Sequence, residues 1–240
     1  IKTFKPNIIF HAAAYKHVPI LEKEAREAVR NNILGTKNIA DISNKYKCNR
    51  FILISTDKAV NPSNVLGATK RVAELYIENI NKTSVTNYTT VRFGNVLDSD
   101  GSVVPLFRKQ ISQGGPVTVT HKEVTRFFMT IKESCQLILQ AAIMGNGGEI
   151  FVPKIPSIRI TDLVEAMAPG MATNEIGIRP GEKLHETMCP GDDSHHTIEF
   201  DNHYVITPSI QFTAPVNYCR NLLDEHGTPV DKGFSYDSGT

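Results

Sequence analysis

The chain has 240 residues, with 26 Lys and Arg against 25 Asp and Glu, a formal net charge of +1, no Trp and 40% hydrophobic residues. That balance excludes a surface dedicated to nucleic acid or to anionic membrane, which would show as an excess of Lys and Arg across the domain. Apolar runs such as Phe51 to Ile54 fall far short of the roughly 20 residues a spanning helix needs, and no charged-then-apolar leader opens the sequence.

In chain order, Asn7 to Phe10 reads as a buried strand, followed by a turn of small residues from His11 to Ala14. Between Glu22 and Tyr46 the residues Ala25, Ala28, Val29, Ile33, Thr36, Ile39, Ala40 and Ile42 recur at three- and four-residue steps, which predicts one long amphipathic helix. Phe51 to Ile54 is a second buried strand, Gly67 to Ile80 a second helix, and Tyr88 to Phe93 a third strand. Strand and helix alternating in this way predict an α/β fold, a doubly wound parallel sheet covered on both faces.

The phosphate-binding turn that normally follows the first strand of such a sheet, of the Gly-x-Gly-x-x-Gly type, is missing. The Gly145-Asn146-Gly147-Gly148 cluster follows a helical pattern and precedes the strand Glu149 to Val152, the position of a helix cap and turn. The chain is therefore expected to be a partial Rossmann-like sheet lacking its N-terminal part. Residues 1–95 would form the dinucleotide-binding region and 96–240 mainly a smaller substrate-binding domain. Within the latter, helices are predicted at Val103 to Ile111, Lys132 to Met144 and Thr161 to Ala168, the last with Thr161 as N-cap and Pro169-Gly170 as its stop. The tail from Asp224 reads as irregular. Cys48, Cys135, Cys189 and Cys219 have no paired spacing and read as free thiols; the adjacent His195 and His196 lack further ligands, so no metal is expected.

The segment most suggestive of chemistry is Ser55-Thr56-Asp57-Lys58, at the carboxyl end of the second strand, followed by Lys70 inside the next helix. Ligands of parallel sheets bind outside the carboxyl ends of strands, so a hydroxyl, a carboxylate and an ammonium there are placed to work on a substrate. The alternative is that Thr56 and Asp57 only cap the loop and Lys58 is solvated.

Five segments together resemble the extended short-chain dehydrogenase/reductases that dehydrate nucleotide sugars. They are Asn7 to Ala14, Ser55 to Ala59, Asn61 to Lys70, Arg92 to Val96 and Arg179 to Glu186. Within that group they are most similar to the inverting UDP-N-acetylglucosamine 4,6-dehydratases of bacterial surface-glycan biosynthesis. The resemblance implies a bound nicotinamide cofactor, NADP or NAD, that takes hydride from sugar C4 and returns it to C6 after water leaves across C5 and C6. It gives Lys70 the nicotinamide ribose, Thr56 the C4 oxygen and Asp57 the role of acid toward the C6 hydroxyl. Lys58 stands where retaining relatives carry a Glu, and an amine of lowered pKa there would serve as C5 base.

The resemblance has one departure. Most members carry a Tyr one helical turn before the helix Lys; here it is Leu66, whereas membrane-associated members carry a Met. The remaining motifs read as binding: His11, Ala12, Ala13 and Asn32 toward the cofactor, Lys16 toward the sugar, Asn95 toward the diphosphate and Val104 near the uracil. Arg126 and Arg179 are paired guanidiniums suited to clamp the diphosphate, and Glu182 is suited to orient ribose hydroxyls. A UDP-sugar substrate, a homo-oligomer and a cytoplasmic location with an upstream anchor left open complete the expectations. The competing readings are a UDP-sugar 4-epimerase, which needs no acid and base for water loss, and a non-catalytic nucleotide-sugar sensor.

Overall fold

The structure is a computed structural model describing residues 1–209 and 216–240. Four parallel strands, β1 (Ile8–His11), β2 (Arg50–Thr56), β3 (Asn87–Phe93) and β7 (Ile150–Pro153), form its spine. Three antiparallel strands, β12 (His203–Ile206), β11 (Thr197–Glu199) and β13 (Thr228–Pro229), extend it to a seven-stranded sheet in the order β1-β2-β3-β7-β12-β11-β13.

The pleat of β2 sorts its side chains onto two faces. Phe51 and Leu53 pack with Tyr88 against α3 (Thr36–Lys45) and α4 (Val65–Asn81). Ile52, on the opposite face, packs with Val91 and Phe151 against α6 (Ile131–Met144). All of these β2 and β3 residues are fully buried, which is why the strands read as continuous apolar runs rather than alternating ones.

The helix predicted over 22–46 is broken. α1 (Val18–Leu21) and α2 (Ala25–Ala28) precede a π-helical stretch, Val29–Gly35, that runs into α3. The wide turns bury Asn32, whose amide accepts from the Tyr15 N–H at 2.8 Å and donates to the Tyr15 carbonyl and to Thr69 Oγ1. A single stripe of apolar spacing carries no sign of such an insertion, and π-turns of this kind recur at functional sites.

Beyond residue 95 a second core forms from Phe107, Val117, Val119, Val124, Phe128, Ile160 and Val164. It joins α5 (Val103–Ser112) and α7 (Ile160–Met167) to two small sheets. One is β4 (Asn95–Val96), β6 (Thr125–Met129) and β8 (Ser157–Arg159); the other is β5 (Val117–Val119) with β9 (Thr173–Glu175). The residue 95 boundary marks where the chain leaves the parallel sheet, but β7, β11, β12 and β13 return to it.

Two local expectations are corrected. Arg159, not Thr161, is the N-cap of α7; the Thr161 hydroxyl lies inside the first turn and donates to the Lys122 carbonyl instead. The tail is not irregular throughout, because β13 pairs with β11 and β14 (Tyr236–Asp237) pairs with β10 (Thr187–Cys189). Tyr236 is held by packing on Phe127 and Tyr204, contacts that a polar local sequence does not announce.

Candidate active site

A cleft of about 320 Å³ opens at the carboxyl ends of β1, β2 and β3. Its lining brings together Ala12, Lys16, Thr56, Lys58, Lys70 and Asn95 from the sequence-predicted set, with Leu66 beside them. Two further predicted residues, His11 and Asn32, are buried just behind it. His11 bonds Thr36 Oγ1 through Nε2 at 2.9 Å, and burial followed by the nearby Lys70 charge brings its pKa down to about 4. Asn32 holds the Tyr15 backbone that forms one wall. Ala13 is exposed and is not among the lining residues.

The end of β2 turns directly into a 3-10 turn, Asp57–Ala59, capped by Thr56 Oγ1 accepting from the Lys58 N–H. The Thr56 hydroxyl donates to Asp57 Oδ1 at 2.9 Å, and Lys58 Nζ donates to the same oxygen at 2.9 Å. Asp57 is 0% exposed and its Oδ2 has no hydrogen-bond partner. Capping and chemistry are therefore combined in one turn, and Lys58 is held rather than solvated.

The expectation of a lowered Lys58 pKa is corrected. Burial does pull it down, but the Asp57 and Glu186 carboxylates together outweigh that pull and raise it above the ordinary lysine value. Lys58 rests as an ammonium. Lys70 is the depressed amine: burial brings it to about 8 against the opposing charge of Glu74. Its Nζ donates to the Ile54 carbonyl at 2.5 Å.

Glu74 sits one helical turn beyond Lys70 on the same face of α4 and is 2% exposed. It accepts from Ser55 Oγ at 2.5 Å, from Arg92 Nε at 3.2 Å and from Arg92 Nη2 at 2.8 Å. The buried Arg92 continues to the Met188 carbonyl at 2.7 Å, tying α4, β3 and β10 behind the cleft. A Glu on the buried side of a helix was the available sequence signal for this network.

The Arg179 to Glu186 segment closes over the loop between β2 and α4. Lys183 Nζ donates to the Val60 carbonyl, while Ser63 Oγ and Asn64 Nδ2 both donate to the Gly181 carbonyl. Arg126 commits both terminal nitrogens internally, to the Thr125, Lys183 and Leu184 carbonyls and to Glu182 Oε1 at 2.9 Å. Arg179 has an exposed side chain, and its backbone N–H reaches Glu182 Oε2 at 3.3 Å. Glu182 thus links the two arginines, but the guanidiniums do not form a ready pair. Val104 is buried and lines a separate cavity of about 500 Å³ with Leu97, Asp98 and Arg108.

Sequence reasoning also missed Glu186, which faces Lys58 from just before β10, and Ser102, whose buried Oγ lacks a partner at the cleft. Among the described residues no His, Cys, Asp and Glu cluster could hold a metal ion, and no helix is long and apolar enough to cross a membrane.

Residues 1–208 match the family described as polysaccharide biosynthesis protein. The chain is 52% identical over 201 residues to the capsular polysaccharide biosynthesis protein CapD of Staphylococcus aureus, covering 80% of this chain and 34% of that protein. It thus spans about a third of that relative's length. It is 45% identical over 237 residues to a Campylobacter jejuni protein named UDP-N-acetylglucosamine 4,6-dehydratase (inverting), covering 97% of this chain and 71% of that one. Among solved structures, Pen from Bacillus thuringiensis superposes with a TM-score of 0.87 at 34% identity, covering 97% of this chain and 71% of that one. By sequence and architecture alike, the chain belongs to the polysaccharide biosynthesis protein family, on the Rossmann-like α/β fold of the extended short-chain dehydrogenase/reductases.

Proposed function

We propose that this chain carries the catalytic machinery of a nucleotide-sugar 4,6-dehydratase that acts on UDP-N-acetylglucosamine and inverts C5. The observation that carries the reading is the Thr56-Asp57-Lys58 turn, which opens into the same cleft as Lys70. Epimerisation needs only the hydride step, so a buried acid and base pair at this strand end supports dehydration.

The cleft fits the nicotinamide end of NAD or NADP. An ammonium has three donors and the Ile54 carbonyl takes one from Lys70, leaving two for ribose hydroxyls. Ala12 and Ala14 let a flat ring approach the wall. A bound nicotinamide would accept hydride from C4 as solvent takes the C4 hydroxyl proton, and would return it to C6 as C5 regains a proton from solvent on the opposite face, which inverts C5.

Elimination across C5 and C6 needs one acid and one base together. Moving one proton from Lys58 Nζ to Asp57 Oδ1 along their 2.9 Å hydrogen bond converts ammonium and carboxylate to amine and acid. At rest the carboxylates hold the ammonium; a substrate that fills the cleft and excludes water would favour the neutral pair, since deeper burial disfavours both charges. The amine then takes the C5 proton. The acid, screened from the cleft, passes its proton through the Thr56 hydroxyl to the departing C6 oxygen, which leaves as water. The pair ends as ammonium and carboxylate, so no outside proton is consumed. Leu66 contributes no acid or base; it is apolar wall. Lys16 and Asn95 reach the sugar and diphosphate from the rim. Exposed Arg179 supplies positive charge outside them, and Arg126 holds Glu182 in place for the ribose.

The test is incubation of the full-length protein with UDP-N-acetylglucosamine and NAD or NADP in deuterated water, followed by NMR of the product. A 4-keto-6-deoxy sugar with deuterium at C5 is expected, with C5 exchange lost in Lys58→Met. Exchange at the parental rate in that variant refutes the role of Lys58, and a C4 epimer that keeps its 6-hydroxyl refutes the dehydratase reading.

A further inference from the structure

Glu186 is 3% exposed, and its carboxylate makes no hydrogen bond among the described residues. Its Oε1 lies 3.8 Å from Lys58 Nζ, and its Oε2 has no partner. A carboxylate kept for structure alone would be satisfied, because leaving one buried and unpaired costs several kcal/mol. The backbone around it is, by contrast, fully tied: the Glu186 N–H donates to Ser238 Oγ at 2.9 Å, and the Glu186 carbonyl accepts from the Ser238 N–H at 2.8 Å. Ser238 is fixed in turn by Thr125 Oγ1 at 2.8 Å and by Ser157 Oγ at 2.5 Å. Ser238 thus fixes the backbone that brings the Glu186 carboxylate to the Lys58 ammonium.

We propose that Glu186 is a positioning residue for Lys58: it is a second carboxylate on the ammonium besides Asp57 and so sets the direction in which Nζ presents itself to the sugar. The inference rests on the dehydratase reading for the role of Lys58, but the placement of the ammonium stands apart from any substrate. Two carboxylates around one lysine also set the charge of the group. The charged groups that face it are Asp57 on the β2 turn, Arg126 on β6, and Lys183 and Glu186 on the segment before β10. Burial raises the Glu186 pKa against the pull of Lys58, and Asp57 adds to the rise. Asp57 and Glu186 together outweigh burial and the opposing charge of Arg126, which keeps Lys58 protonated until a substrate displaces its contacts.

The experiment compares Glu186→Gln and Glu186→Asp with the parent in the full-length protein. Two readouts are taken: the Lys58 titration by NMR of its side-chain carbon without substrate, and steady-state turnover of UDP-N-acetylglucosamine. In Glu186→Gln the Lys58 pKa should fall by about 1 to 3 units, the range for loss of a close opposite charge. kcat should fall at least tenfold with KM within twofold, and the alkaline limb of kcat/KM should move toward acid. Glu186→Asp should restore part of the pKa and of kcat. The folded state should be as stable as the parent's or more so, since an unsatisfied buried charge is removed. An unchanged Lys58 titration overturns the inference whatever the turnover does. A shifted titration in a protein that makes no keto sugar supports the placement of Lys58 by Glu186 while refuting the dehydratase reading.

Discussion

Gly67 offers the sharpest test of how the site is built. It lies in the first turn of α4, and its N–H is accepted by the Asn64 side chain at 2.8 Å. A Cβ at this position would stand 2.1 Å from the Lys58 carbonyl oxygen, 3.0 Å from the Lys58 carbonyl carbon and 3.1 Å from Pro62 Cβ. The first of these is more than roughly 1 Å short of contact distance, and the obstacle is backbone, so it cannot rotate away. Gly67→Ala must therefore lift α4 off the 3-10 turn or push Lys58 away from it. Overpacking of this kind costs about 1–3 kcal/mol. For a chain of this size that corresponds to a fall in Tm of about 2–12 °C. Lys70 follows one helical turn later, so the same displacement separates it from Lys58 and Thr56. A misplacement near 1 Å is enough to reduce turnover about 100-fold. Gly35→Ala is the control, since its Cβ would meet only the Arg30 carbonyl oxygen at 3.8 Å, and it should be neutral or slightly stabilising. Thermal denaturation and turnover of both variants are the measurements. Parental Tm and rate in Gly67→Ala would refute the close packing of α4 on the catalytic turn.

Two further predictions concern buried charge. Arg92→Met leaves the Glu74 carboxylate without its main partner and should destabilise the fold by about 3–5 kcal/mol in urea denaturation at neutral pH. The Glu74 pKa is held below 4.5 because Arg92, Ser55 and Arg71 outweigh burial; its contribution is present above that value and fades as pH falls through the lowered pKa, so the loss in the variant should shrink in acid. Glu149 is the reverse case: burial raises its pKa from 4.5 to about 7, so the folded state keeps a proton that the unfolded chain gives up. Its stabilising effect is complete below pH 4.5 and lost as pH rises through 7, a swing of up to about 3 kcal/mol. Glu149→Gln should remove that decline, measured as urea midpoints at pH 5 and pH 8; an equal decline in both proteins would refute it.

What could be read in the sequence follows from which forces act locally. Buried strand segments such as Phe51 to Leu53 and amphipathic α4 declare themselves through composition and period, because each residue's burial is set by its own element. Thr56, Lys58 and Lys70 were legible for a related reason: a strand end and the next helix turn are close in sequence, so the topology brings their side chains to one cleft. Glu186 and Arg126 belong to a different class. Glu186 is aimed by Ser238, at the far end of the chain, and Arg126 is spent on carbonyls of residues 183 and 184, contacts no local window contains. The Lys58 pKa was misread for the same reason. A lysine beside one carboxylate in a buried turn is set by desolvation against attraction, and a second carboxylate, supplied from 128 positions away, adds to the attraction. The chemistry of the turn is thus written at the end of β2, and distant residues add to its electrostatics. A substitution at Ser238 that frees Glu186 should therefore alter the pH dependence of Lys58 without touching any group in the cleft.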